Sequence, residues 1–173
     1  MRVAILGSGS WATALAKIVM HNASEINWYI RKQETIDEFI QTRRNPNHLE
    51  WAYFDVSCIH FSADINFTIN QSDLIIVAIP SPYLKEIFNE ITVDMSKKII
   101  ISAVKGMMPD SNILVTDFLH QHFQIPENQL GMITGPCHAE EIAFERLSYL
   151  TIGCSDLSNA NKWQPLFDTP YVR

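Results

Sequence analysis

Short runs of β-branched and aliphatic residues recur along the chain at Val3 to Leu6, Ile26 to Ile30, Leu74 to Ile79, Lys98 to Val104, Leu130 to Thr134 and Leu150 to Cys154. Each run reads as a strand. Several are apolar at every position rather than at alternate ones, most clearly Leu74-Ile75-Ile76-Val77-Ala78-Ile79. A strand buried on both faces has that signature, because helices above and below a parallel sheet leave neither face to water. Between the runs, apolar residues return at helical spacing over Trp11 to His21, Thr35 to Arg43, Pro82 to Ile91, Ser111 to His122 and Leu157 to Phe167. Ser81-Pro82 predicts an N-cap followed by proline at the first helical position. The alternation predicts an α/β fold, a doubly wound and mainly parallel sheet with right-handed crossovers.

Two stretches depart from the alternation. Arg44 to Ile59, with Asn45-Pro46-Asn47-His48 inside it, has no period and reads as an excursion between the second helix and a further strand. At the other end, Pro170-Tyr171-Val172-Arg173 opens an apolar run without a terminal helix or polar tail. That ending reads as a cut. Were a further domain missing after it, an apolar docking face would be exposed, so a homodimer is allowed for, with that exposure as one source of dimers of this piece.

With 47% apolar and 18% charged residues, residues 1–173 are long enough to form one domain around one core. The formal charge of -6 argues against nucleic acid or an anionic membrane as partner, so any anion site has to be built locally. Cys58, Cys137 and Cys154 are odd in number and far apart, which suggests neither a disulfide framework nor a thiolate metal site and fits a reducing cytoplasm. The first apolar run stops at Gly7, too early for a signal peptide, and no later run approaches the roughly 20 residues of a membrane span.

The clearest chemical feature is Gly7-Ser8-Gly9-Ser10-Trp11-Ala12, a G-x-G-x-x-A element between the first predicted strand and the first predicted helix. Gly7 permits the tight turn, Gly9 lets backbone approach a pyrophosphate, and Ala12 allows close packing of helix on strand. The free N–H groups at the helix start then meet the phosphates. The competing reading is a glycine turn that serves packing alone. In its context the element marks a Rossmann-type dinucleotide-binding domain.

The second strand, Asn27-Trp28-Tyr29-Ile30, runs into Arg31-Lys32. An acid at that turn would accept hydrogen bonds from the adenosine ribose. Cations there instead favour a ribose 2′-phosphate, hence NADP over NAD, unless they are merely solvated. Pro80, in Ile79-Pro80-Ser81-Pro82, and Lys105, in Lys105-Gly106, follow two further strands at the carboxyl edge where open sheets bind ligands. For Pro80 a plain strand-to-helix turn explains the letters equally well, and for Lys105 spacing alone favours an exposed, solvated side chain. Gly135-Pro136-Cys137-His138-Ala139-Glu140-Glu141 follows another strand and starts a short helix whose first amides form a second anion site. Cys137 and His138 are not read as a catalytic pair, since sequence neighbours rarely face each other. Nor do His120 and His122, two apart on a helix, predict a metal site.

Taken in order, Gly7 through Ala16, Trp28 through Arg31, Asp73 through Ser81, Lys105-Gly106 and Gly135 through Ala143 resemble the motif set of NAD(P)-dependent glycerol-3-phosphate dehydrogenase over nearly the whole chain. The resemblance implies that Ser10, Trp11, Arg31 and Ala139 contact NAD or NADP and that Lys105 lies on the nicotinamide side, joining Gly7 and Gly9 of the fingerprint and Pro80 at the carboxyl edge as cofactor-binding residues. It implies further that Lys105, Gly135 and Cys137 meet the substrate, dihydroxyacetone phosphate or glycerol 3-phosphate. The family's principal catalytic lysine would then come from a helical C-terminal domain beyond Arg173, and the piece in hand would bind cofactor with little turnover. Two positions depart from the pattern: Ala12 stands where glycine is frequent, and Cys137-His138 replaces a Ser or Thr followed by an aromatic residue. Related hydroxyacid or ketopantoate reductases, and a nucleotide-sensing module without chemistry, are the alternatives.

Overall fold

The computed structural model describes residues 1–173 and holds seven strands in one sheet. In chain order the elements are β1 (Val3–Leu6), α1 (Ser10–Asn22), β2 (Ile26–Tyr29), α2 (Gln33–Thr42), β3 (Ile59–Ser62), α3 (Ile65–Asn70) and β4 (Leu74–Val77). There follow α4 (Leu84–Asn89), β5 (Ile99–Ser102), α5 (Val115–Phe123), β6 (Leu130–Thr134), α6 (Ala139–Ala143), β7 (Thr151–Cys154) and α7 (Leu157–Trp163). Spatial order is β3-β2-β1-β4-β5-β6-β7, and the first six strands are parallel. Their order reverses between β1 and β4, which opens a crevice at the carboxyl edge of the sheet.

Successive residues of β1 face opposite layers. Val3 and Ile5 enter a core shared with α1, α2 and α6, whereas Ala4 and Leu6 enter one shared with α3, α4 and α5. All four are essentially without solvent exposure, which accounts for the absence of alternation in the sequence. Burying one aliphatic side chain of this kind contributes about 1.5–3 kcal/mol. Trp28 anchors the first layer, with its ring among those of Phe39, Phe54 and Phe61 at centroid distances of 5.3, 5.6 and 5.8 Å.

The expected mainly parallel sheet is present, and β7 is its antiparallel member, pairing Gly131 with Cys154 through Thr134 with Thr151. The further strand expected after the excursion is β3, and α3 was not anticipated. Ser81 does not cap a helix: Pro80 precedes a short 3-10 turn over Ser81–Tyr83 with no side-chain cap. The Ser81 hydroxyl lies instead against Gly106, where a Cβ would come within 3.0 Å of it. No helix is long and apolar enough to cross a membrane.

Candidate functional site

Gly7 to Gly9 form the turn from β1 into α1. Gly7 adopts φ 120°, and a Cβ on it would stand 2.6 Å from the carbonyl oxygen of Ala78. Only glycine joins these two strand ends at that spacing. Around Gly9, by contrast, a Cβ would meet nothing within 4 Å, so its lack of a side chain leaves open space beside the backbone. The first amide of the helix to find an acceptor is that of Thr13, which donates to the Gly9 carbonyl at 3.0 Å. The amides of Ser10, Trp11 and Ala12 are the free N–H groups of a helix start.

Three residues brace this turn. Trp28 Nε1 donates to the Gly7 carbonyl at 2.7 Å, and Asn45 Nδ2 donates to the Ser8 carbonyl and to Thr13 Oγ1, each at 2.8 Å. Thr13 Oγ1 in turn donates to the Gly9 carbonyl at 3.0 Å. The periodless excursion therefore has a definite place, behind the glycine turn. It also brings His48 Nδ1 within 3.3 Å of Ser10 Oγ.

Gly7, Gly9, Arg31 and Pro80 line one cleft of about 250 Å³, together with Ser8, Tyr29, His48 and Tyr83. Four predicted residues from three separate segments thus meet at the point where the strand order reverses. Burial, chiefly, pushes the Tyr29 hydroxyl above its ordinary range, so the cleft wall at that position stays neutral. Arg31 also borders a neighbouring depression with Lys32, Glu34 and Glu38, and its guanidinium lies 3.7 Å from the Glu86 carboxylate, both side chains being exposed. The cationic turn expected after β2 is present, but carboxylates surround it. A larger cavity of about 490 Å³ lies between α5 and the β6–β7 edge, lined by His120, Asp117 and Met132 among others. It shares no residue with the glycine turn.

Lys105 and Trp11 meet outside the residues that line this cleft. The exposed Lys105 ammonium lies over the Trp11 ring, 4.8 Å from its centroid. The indole Nε1 of Trp11 is buried with no acceptor. Gly135 follows β6, where a Cβ would collide with the Tyr149 carbonyl oxygen and crowd Leu150. Cys137 is 5% exposed; burial pushes its thiol above the ordinary range, and the nearby Lys105 charge pulls the other way. Ala139 opens α6, which packs on α1, and the His138 amide donates to the Glu141 carboxylate at 3.2 Å. Pattern reasoning did not find Trp28, Asn45, Tyr29 or His48 as parts of the site. The Asn-Pro-Asn cluster was the available signal, since Asn45 Oδ1 accepts the Asn47 amide at 3.0 Å in an Asx turn.

A family model described as the N-terminus of NAD-dependent glycerol-3-phosphate dehydrogenase matches residues 2–160. Two curated proteins named glycerol-3-phosphate dehydrogenase NAD(P)+ are similar to the chain. That of Lysinibacillus sphaericus is 27% identical over 174 residues, covering 99% of this chain and 51% of the relative. That of Streptococcus pneumoniae is 30% identical over 175 residues, with 99% and 51% covered. The solved glycerol-3-phosphate dehydrogenase of Plasmodium falciparum superposes with a TM-score of 0.88 at 29% identity, covering 100% of this chain and 51% of that one. A Dunaliella salina protein reaches a TM-score of 0.87 at 20% identity, covering 99% and 36%, a likeness of fold alone. The chain spans about half the length of the curated relatives it matches. With the family's match running from Arg2 into α7, this chain belongs to the NAD-dependent glycerol-3-phosphate dehydrogenase family, whose N-terminal part it represents.

Proposed function

We propose that residues 1–173 are the cofactor-binding half of a two-domain glycerol-3-phosphate dehydrogenase using NAD or NADP. The complete enzyme would catalyse reversible hydride transfer between the reduced cofactor and dihydroxyacetone phosphate, giving sn-glycerol 3-phosphate for phospholipid synthesis. This half alone would bind nucleotide and turn over little or nothing. The observation that carries the reading is the braced glycine turn at the reversal of strand order. The amides of Ser8 and Gly9 have no backbone acceptor, and the space beside Gly9 is open. Free amides beside open space at a helix start suit a diphosphate.

On this reading Gly7, Gly9, Ser10 and Trp11 hold the diphosphate and the adjoining ribose, with Pro80 closing the opposite wall and Ala139 approaching from α6. Arg31 would accept the adenosine ribose, or its 2′-phosphate once the contact with Glu86 gives way. The bound nicotinamide would supply the hydride. Lys105, over Trp11, would lie against both nicotinamide and substrate, where an ammonium stabilises charge developing on the carbonyl oxygen. Gly135 and Cys137 would border the substrate, and the small buried thiol would leave room without ionising. The test is an assay of the full-length protein with NADH or NADPH and dihydroxyacetone phosphate. Oxidation of the cofactor dependent on that substrate is expected; no rate above background would remove the proposed reaction.

A further inference from the structure

We propose that Trp28, Asn45 and Thr13 are positioning residues that aim the amides of the glycine turn, each by holding one of three successive carbonyls. The proposal rests on reading the turn as a dinucleotide cradle. Trp28 Nε1 takes the Gly7 carbonyl at 2.7 Å, Asn45 Nδ2 the Ser8 carbonyl at 2.8 Å and Thr13 Oγ1 the Gly9 carbonyl at 3.0 Å. All three side chains are fully buried. Trp28 reaches the turn from a strand 21 residues away and Asn45 from a loop 37 residues away, while Thr13 lies in the first turn of α1, four residues after the carbonyl it holds.

The consequence follows from peptide geometry. In a trans peptide the C=O and the following N–H point in opposite directions, and the chain has no cis bond. Fixing the carbonyls of Gly7, Ser8 and Gly9 toward the interior therefore turns the N–H groups of Ser8, Gly9 and Ser10 away from it. Those of Ser8 and Gly9 have no backbone acceptor, and both residues line the cleft. Asn45 is itself locked: its Oδ1 accepts the Asn47 amide at 3.0 Å, leaving Nδ2 for Ser8 and Thr13. The Asn45–Thr13 contact links two of the three braces, so the turn is held as a unit. Donors fixed before the anion arrives lose no freedom when it binds.

The test compares the chain with Asn45→Ala, Trp28→Phe and a control, Phe39→Leu. Phe39 belongs to the same aromatic cluster as Trp28 but appears in no side-chain contact to the turn. Affinity for NADH is read by its fluorescence, and ¹H–¹⁵N spectra follow the Ser8 and Gly9 amides on addition of ADP-ribose. Both amide protons should shift downfield in the unaltered chain. Asn45→Ala is expected to weaken NADH roughly tenfold and erase the Gly9 shift, while Trp28→Phe erases chiefly that of Ser8. Phe39→Leu, at a comparable loss of melting temperature, should keep both affinity and shifts. Should Asn45→Ala fail to fold, Thr13→Val decides on the same readouts. Unchanged shifts, or a control as weak as the variants, overturns the positioning role while NADH binding by the unaltered chain stands. No binding by the unaltered chain overturns the cradle, and the positioning role with it.

Discussion

The glycine turn and the Lys105–Trp11 contact are built differently, and their tryptophans show how. Trp28 is fully buried, surrounded by phenylalanines, and its indole N–H holds the Gly7 carbonyl. Trp11, half-buried, has a buried indole N–H with no acceptor, and its ring is covered by one exposed lysine. In the first every carbonyl of the turn has a partner; in the second, packing leaves a polar group unmatched. A buried, satisfied network resists change because removing a member strands its partner. The glycine turn therefore carries a preset geometry, whereas the Lys105–Trp11 contact, on the proposed reading, awaits nicotinamide, substrate and the rest of the enzyme.

The comparison breaks most readily at Gly7. Alanine there would force a side chain into a left-handed backbone and within 2.6 Å of the Ala78 carbonyl oxygen. The expected cost is about 2–4 kcal/mol of stability, read as a fall in the midpoint of urea unfolding. A loss below about 1 kcal/mol would mean that β1 and β4 can separate and that the turn is less constrained than its geometry indicates.

Gly9→Val should do the opposite. Nothing lies within 4 Å of a Cβ at that position, so the melting temperature should stay within a degree or two while NADH affinity falls at least roughly tenfold. Two glycines of one motif would then separate, one serving the fold and the other the ligand. Unchanged affinity on titration would place the diphosphate elsewhere.

This division bears on what the sequence made readable. The G-x-G-x-x-A letters, the unbroken apolar strands and the cationic turn after β2 were legible because each is a local pattern imposed by burial or backbone geometry. The direction of β7 was not, since Thr151-Ile152-Gly153-Cys154 reads alike either way and its partner is chosen by tertiary contact. Helix α3 was hidden because Ile65-Asn66-Phe67-Thr68-Ile69-Asn70 alternates apolar and polar residues, the period of a strand and not of a helix. Asn45 was hidden for another reason: a buried polar side chain in a loop has no hydrophobic signature, and its function depends on a turn 37 residues away.

A smaller effect is expected at Arg31. Its exposed pair with Glu86 contributes little to stability, so Arg31→Ala should leave the fold intact. Binding of NADPH should weaken several-fold, by about 1 kcal/mol, with NADH less affected, because Glu34 and Glu38 share the depression and Glu86 competes for the guanidinium. Isothermal titration with both cofactors would show it. Equal losses for the two would end the assignment of Arg31 to a 2′-phosphate.

Cys137, near Lys105, gives a shallower, pH-dependent effect. Burial raises its folded-state pKa, against the pull of Lys105. The folded chain thus holds the thiol proton more tightly than the unfolded chain does. This contribution to stability is fully present below the ordinary thiol range and is lost as pH rises through the folded value. Unfolding midpoints measured from pH 7 upward should decline less steeply in Cys137→Ala than in the unaltered chain. Tyr29 and Tyr171, also raised by burial, remain in both and cancel in the difference. Parallel curves would mean that the thiol is open to water.

The smallest change is expected at Trp11, in contrast to Trp28. Trp28→Phe strands the Gly7 carbonyl and leaves a gap among tightly packed rings, so it should destabilise by about 2 kcal/mol or more. Trp11→Phe loses ring area at a half-buried site but removes an unmatched N–H, and the two nearly offset, leaving stability within about 0.5 kcal/mol. Lys105 would still have an aromatic face beneath it, though a weaker one. Urea unfolding of both variants reads the contrast directly. A loss from Trp11→Phe matching that from Trp28→Phe would show that the Trp11 indole has an acceptor after all, and that the Lys105–Trp11 contact is as tightly fixed as the glycine turn.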